Sequence, residues 1–149
     1  MGCDIHMFAE YRRGNTGEWV LDDTHSKKEY GCMKELPDGG RNYQFFSLIA
    51  GVRGSEDPLY DKRGLPEDIV RKLVDEHTGN HSHTWLTLFE YKRVVNRAIG
   101  KGIISEDCGW VDIIKHCEKV MEDSSAESLL LDEPSLKLVE CRLTISFDS

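Results

Sequence analysis

Ionisable side chains gather at two places in patterns that can do chemistry. The first is Asp4-Ile5-His6, with Glu10 a short way on. On a strand, the period of two points Asp4, His6, Phe8 and Glu10 to one side. A carboxylate and an imidazole on one face make half a metal site or a charge-assisted pair. Glu10 extends that face as a candidate general base. The plainer alternative is the solvent face of an edge strand. The second place is His81-Ser82-His83-Thr84-Trp85. His-x-His lets both rings reach one ion from an extended backbone. The alternative here is a polar loop leading into a helix cap, with His77 just upstream favouring a helix C-terminus. Taken together, Asp4, His6, His81 and His83 form a ligand set for a divalent transition metal such as zinc, manganese or iron, which would activate a bound water. The same side chains without metal can hydrogen-bond a base or ribose, with Trp85 as a stacking ring.

Phosphate-binding chemistry is offered by Arg53 and Arg63, with Lys62 beside them and Arg12 and Arg41 elsewhere. Guanidinium forks match phosphate oxygens, and Arg63-Gly64 directly precedes an expected helix N-terminus that favours anions. Pairing with Glu56, Asp57 and Asp61 is the competing use of these cations. The expected binding set is therefore Asp4, His6, Arg53, Arg63, His81, His83, Thr84 and Trp85. Cys3 is a poor nucleophile, because the neighbouring Asp4 carboxylate raises the thiol pKa. The chain contains no Walker loop, Gly-x-Gly-x-x-Gly, Gly-x-Ser-x-Gly or His-Glu-x-x-His.

The elements that must position these residues follow from periodicity. Residues 3–12 alternate as a strand, Gly14-Asn15-Thr16-Gly17 is a turn signal, and Glu18 to Leu21 returns as the second arm of a hairpin. Residues 22–42 read as a long loop with a turn at Pro37-Asp38-Gly39-Gly40. Tyr43 to Val52 is apolar enough for a short buried helix or a core strand; a helix ending at Gly51 or Gly54 fits better. Pro66 suits the first turn of a helix carrying Ile69, Val70, Leu73 and Val74 on one stripe and ending at Gly79. Thr87-Leu88-Phe89-Glu90 is a capping box for a helix running to about Ile99. Trp110, Ile113, Ile114, Cys117, Val120 and Met121 mark a helix over 109–122, with loop over 123–135. Leu136 to Phe147 is a strand with a bulge expected near Cys141. Its partner is the N-terminal hairpin, since a lone hairpin is marginal. The expected fold class is α+β: a small antiparallel sheet, made of the hairpin and the C-terminal strand, packed against about four helices.

Composition bounds the function classes. A chain of 149 residues fits one domain spanning 1–149, and 39% hydrophobic residues suffice for a core. The apolar runs are too short for a membrane helix, and the start lacks a secretory pattern. The net charge of −8 opposes duplex nucleic acid. Five cysteines without a Cys-x-x-Cys pair suggest free thiols in a reducing cytoplasm.

The opening MGCDIH, the Phe46-to-Gly54 stretch FSLIAGVRG, the RGLPEDI from Arg63 and the HSHTWLTL from His81 resemble a family of small bacteriophage proteins over about the first two-thirds of the chain. The family brings no catalytic residues to carry over. The resemblance implies a viral protein in a host bacterial cytoplasm, where phage accessory proteins blunt immunity and some sequester or cleave nucleotide signals. The expected function is thus binding and sequestration of a phosphorylated, nucleotide-like molecule. The alternatives are a metal-dependent phosphoesterase using Asp4, His6, His81 and His83, and an inhibitor acting through protein contacts. A homo-oligomer with a shared pocket is compatible with each.

Overall fold

The computed structural model describes residues 2–14, 17–37 and 39–148. Asn15, Thr16 and Asp38, in the two expected turns, lie outside the described residues. The architecture is α+β. Strands β1 (Asp4–Arg13) and β2 (Glu18–Leu21) form the N-terminal hairpin, and a small separate hairpin, β3 (Lys28–Glu29) and β4 (Cys32–Met33), follows a 3-10 turn at Asp23–Ser26. Residues 22–42 are therefore not loop throughout. Then come helices α1 (Tyr43–Ala50) and α2 (Arg71–His77), strand β5 (His81–Thr87), helices α3 (Leu88–Gly100) and α4 (Gly109–Leu130), and strand β6 (Leu138–Asp148). The main sheet is antiparallel in the order β2-β1-β6-β5. The C-terminal strand thus sits between the hairpin and β5.

Alternation gives this sheet two distinct faces. Ile5, Met7, Ala9 and Tyr11 stand opposite Phe147, Ile145, Leu143 and Cys141. All are buried, and they meet the helices: the Phe46 and Phe147 rings lie 5.3 Å apart, and Phe45 is 4.7 Å from Trp110. The opposite face carries Glu140, Arg142, Thr144, Ser146 and Asp148 from β6. It is covered at one end by α2 and the segment after β2, and opens into a groove at the other.

Residues 43–50 form a helix because both ends are satisfied locally. The Asn42 side chain accepts the Phe45 N–H at 3.0 Å, and Gly51 at φ 71° donates to Ser47 O. The capping box forms as expected: Thr87 Oγ1 accepts from Glu90 N, and Glu90 Oε1 accepts from Thr87 N. Thr87→Ala is expected to lower unfolding free energy by about 1 kcal/mol, read as a shift in denaturant midpoint at unchanged slope.

Four expectations need correction. Helix α2 starts at Arg71, not Pro66: the Val70 N–H is spent on Glu10 Oε2 at 2.6 Å, and Pro66 to Val70 is a turn. It ends at His77, because Thr78 is extended. Residues 81–87 are a strand rather than a loop, since Thr84 and Leu86 are buried against β6. Helix α4 continues to Leu130, where Ser124 Oγ fastens it to the returning chain by accepting from Leu138 N and donating to Leu136 O. The β6 bulge falls at Val139 rather than Cys141: Arg12 pairs with Glu140 and Arg13 with Leu138.

The lower edge of β1 is closed without a partner strand. Ala9 O accepts from Asp22 N, and Met7 O accepts from Leu36 N. Between them the Ala9 N–H donates to His25 Nε2 at 2.9 Å, and His25 Nδ1–H donates to Lys34 O. A buried imidazole stands in for a strand backbone, and burial depresses its pKa.

Candidate functional site

The polar face of the sheet is organised around Arg142. Its Nε donates to Glu10 Oε1 at 2.7 Å, Nη1 to Asp68 Oδ1 at 2.8 Å, and Nη2 to Asp68 O at 3.2 Å. Glu10 is fully buried, and its other oxygen takes the Val70 N–H. Glu10 is therefore a structural anion and not the general base expected of it, because both its oxygens are engaged away from water. Asp68 in turn accepts from Trp19 Nε1 at 3.0 Å, and the Arg142 hydrogen bond holds its carboxyl below the ordinary range. The Arg142 guanidinium lies 3.8 Å from the Trp19 ring centroid, a cation–π contact. Trp19 on β2 is thus pinned at its nitrogen and on its ring.

A second tryptophan is fixed in the same way. The Arg63 guanidinium lies 4.8 Å from the Trp85 ring and 5.3 Å from that of Tyr60. Its Nη1 and Nη2 donate to the two Glu90 oxygens at 2.6 Å, and Nη1 also reaches Trp85 O at 3.2 Å. The Arg63 bond pulls the Glu90 pKa down to about 2. Thr84 Oγ1 holds the Arg63 N–H at 3.1 Å, which ties this loop to β5.

Trp19 and Trp85 line one open groove of about 1090 Å³. Leu65, Pro66, Leu88, Phe89, Met121 and Val139 supply apolar surface, and Phe89 is 69% exposed. The charged lining is Arg12, Arg63, Lys92 and Arg142 against Glu67, Asp68 and Glu140, a balance of 4 − 3 = +1. The groove therefore differs in sign from the chain as a whole, whose net charge is −8. The arrangement suits a planar aromatic group on a tryptophan face with an anion held beside it.

No match emerges from known proteins. No protein-family model fits this chain, and neither does a curated protein or a solved structure.

The remaining expected residues lie at the other end of the sheet or beyond it. Asp4 is paired bidentately with Arg41, at 2.7 and 3.1 Å, which lowers its pKa. His6 bridges Glu35, 2.6 Å from Nδ1, and Asp148, 2.5 Å from Nε2. Chiefly through the Glu35 bond, its pKa rises to about 9, so it is an imidazolium at neutral pH. His81 is exposed, with Nδ1 at 3.0 Å from Ser82 Oγ. His83 Nε2–H donates to His77 O at 3.0 Å. Arg53, at φ 60°, lies over the Tyr43 ring at 5.7 Å.

Strand β6 separates β1 from β5, so Asp4 and His6 do not converge with His81 and His83 on one ion. Among the described residues, no group of three or more His, Cys, Asp or Glu is placed to hold a metal. The expected four-ligand metal set is corrected on this ground. Arg63 and Trp85 do come together, with Thr84 behind them. Trp19 and Arg142 were missed. Their signal was the polar phase of β6, where Glu140, Arg142, Thr144, Ser146 and Asp148 alternate with a fully apolar phase. An arginine in such a row calls for a buried acid and an aromatic neighbour.

Proposed function

We propose that this protein binds a phosphorylated, nucleotide-like molecule in the groove between Trp19 and Trp85. The observation that carries this reading is the pair of half-buried tryptophans, each held by a guanidinium, lining a single groove of about 1090 Å³. The base stacks on an indole, and phosphate is met by Arg63 together with the half-exposed Arg12 and Lys92. Arg63 can serve this role because its pairing with Glu90 sets its direction before the ligand arrives, which lowers the ordering cost of binding.

Sequestration is favoured over hydrolysis. Among the described residues no metal-ligand set is assembled, and of the groove carboxylates Asp68 is engaged with Arg142 and Trp19 and Glu140 with Arg12. The resemblance to phage proteins supplies a setting: a viral protein that keeps a nucleotide immune signal from its receptor in the host cytoplasm.

Titrating nucleoside mono-, di- and triphosphates while following tryptophan fluorescence tests the reading. Trp110 is 1% exposed and gives a constant background. Trp85→Ala is expected to weaken binding about tenfold or more, the worth of one stacked base. Recovery of intact ligand after incubation indicates sequestration, and its conversion indicates an enzyme. Absence of quenching by every nucleotide, or an unchanged Kd in Trp85→Ala, overturns the assignment.

A further inference from the structure

The positions of the two tryptophans within the sheet say more than their shared groove does. Trp19 lies opposite Arg12, and Arg12 opposite Glu140; Trp85 lies opposite Thr144. Trp19 is on one edge strand of the sheet and Trp85 on the other. They are therefore three strand spacings apart across the sheet and four residues apart along β6. At about 4.8 Å per strand and 3.4 Å per residue, this is roughly 20 Å between Cα atoms. One base cannot stack on both rings. A ligand that uses both must carry aromatic rings at its two ends, joined by a linker that crosses β1 and β6.

The ground between them is suited to a lightly charged linker. Arg12 is 41% exposed at its side chain and, among the described residues, pairs with Glu140 at 3.7 Å. Lys92, 42% exposed, also lines the groove and pairs with Glu118 at 2.6 Å. Arg142 lies deeper, 4% exposed, and commits three of its N–H groups to Glu10 and Asp68. With a lining balance of +1, the groove compensates spaced diester charges better than the concentrated charge of a polyphosphate. Phe89, 69% exposed, adds a further aromatic ring to the groove lining.

From this geometry we infer that the ligand is a short single-stranded oligonucleotide of about three or four residues, whose outer bases stack on Trp19 and Trp85 while its diester backbone passes Arg12 and Lys92. This rests on the nucleotide-binding reading of the groove. Stacking rather than counterion release then supplies most of the affinity. That is how a chain of net charge −8 can bind a polyanion at all.

The test compares a tetranucleotide lacking terminal phosphates with the matching nucleoside monophosphate, by fluorescence titration of the full chain. The tetranucleotide is expected to bind at least about tenfold more tightly. Trp19→Ala and Trp85→Ala are each expected to bring it down to the mononucleotide level. Trp19→Phe, which keeps a ring, is expected to retain most of the affinity, and this separates stacking from any loss of fold in the alanine variant. The logarithmic salt slope is expected to stay shallow, about −0.7 per phosphate neutralised and no more than two phosphates. If the monophosphate binds as tightly as the tetranucleotide, or if Trp19→Ala leaves the tetranucleotide unaffected, the two-platform inference is overturned while the nucleotide reading stands. If neither ligand binds, both are overturned.

Discussion

Replacing Arg142 with methionine is expected to lower the unfolding free energy by about 3–5 kcal/mol, because it strands a buried charge. Glu10 has no exposed surface, and without the guanidinium its carboxylate keeps, among the described residues, the Val70 N–H alone. The reciprocal change, Glu10→Gln, costs less. Arg142 then still has Asp68, whose carboxylate is 65% exposed and remains solvated. The double variant Glu10→Gln/Arg142→Met recovers much of the loss, since the volume stays filled and the unpaired charge is gone. Chemical denaturation of the four proteins reads this cycle directly. A loss below about 1 kcal/mol for Arg142→Met would mean that the pair behaves like a solvent-screened surface bridge. The same substitution removes the cation from the Trp19 ring, so the proposed ligand binding is expected to weaken along with stability.

The second large effect is on the pH dependence of stability, where two histidines pull in opposite directions. His77 is fully buried beneath the sheet, with Ser146 Oγ 2.6 Å from Nδ1 and Thr144 Oγ1 3.0 Å from Nε2. Burial, aided by the charges of His83 and His6, pushes its pKa down from 6.5 to about 4. The unfolded chain therefore binds a proton more readily than the folded one. Stability is complete above pH 6.5 and falls as the pH drops toward 4. The gap corresponds to about 3 kcal/mol in all, of which about 2 kcal/mol is lost between pH 7 and pH 5. His25, also depressed by burial, adds to this acid limb. His6 has the opposite sign: its pKa is raised to about 9, so its contribution is complete below 6.5 and is lost as the pH rises through 9. Stability is thus expected to peak near pH 6.5. Melting curves from pH 4 to 10 should show His77→Asn flattening the acid side and His6→Gln flattening the alkaline side. If neither substitution alters either limb, the assigned protonation states are wrong.

The parts of this fold that could be read from sequence are those fixed by local chemistry. The Asn42 and Gly51 ends of α1, the Thr87–Glu90 capping box and the alternation of β1 and β6 each involve groups a few residues apart. β5 escaped because its alternation is broken. Ser82 sits at φ 56°, and the register with β6 shifts between His81 and Thr84, so the histidines that look like ligands occupy an irregular strand start. The start of α2 escaped because it depends on Glu10, a residue far away in sequence that claims the Val70 N–H. The site divided in the same way. Arg63 and Trp85 stood out by residue type, whereas Trp19 and Arg142 acquire meaning only once β2, β1 and β6 lie side by side. Asp4, His6, His81 and His83 shared a chemistry on paper, but an intervening strand holds them apart.

The imidazole that closes the lower edge of β1 also bears on how freely this chain can vary. Between His25 and Leu36 the backbone leaves the sheet, makes the small β3–β4 hairpin and returns, and its two ends hold it to β1, through His25 at one and Glu35 and Leu36 at the other. Its tip, Tyr30, is 98% exposed. Length can therefore change at Tyr30-Gly31 without disturbing the sheet register, because no ladder passes through the tip. A peptide tag, a reporter or a binding loop grafted there would hang from a seam held by His25, Glu35 and two backbone bonds, leaving the tryptophan groove, on the far part of the sheet, accessible.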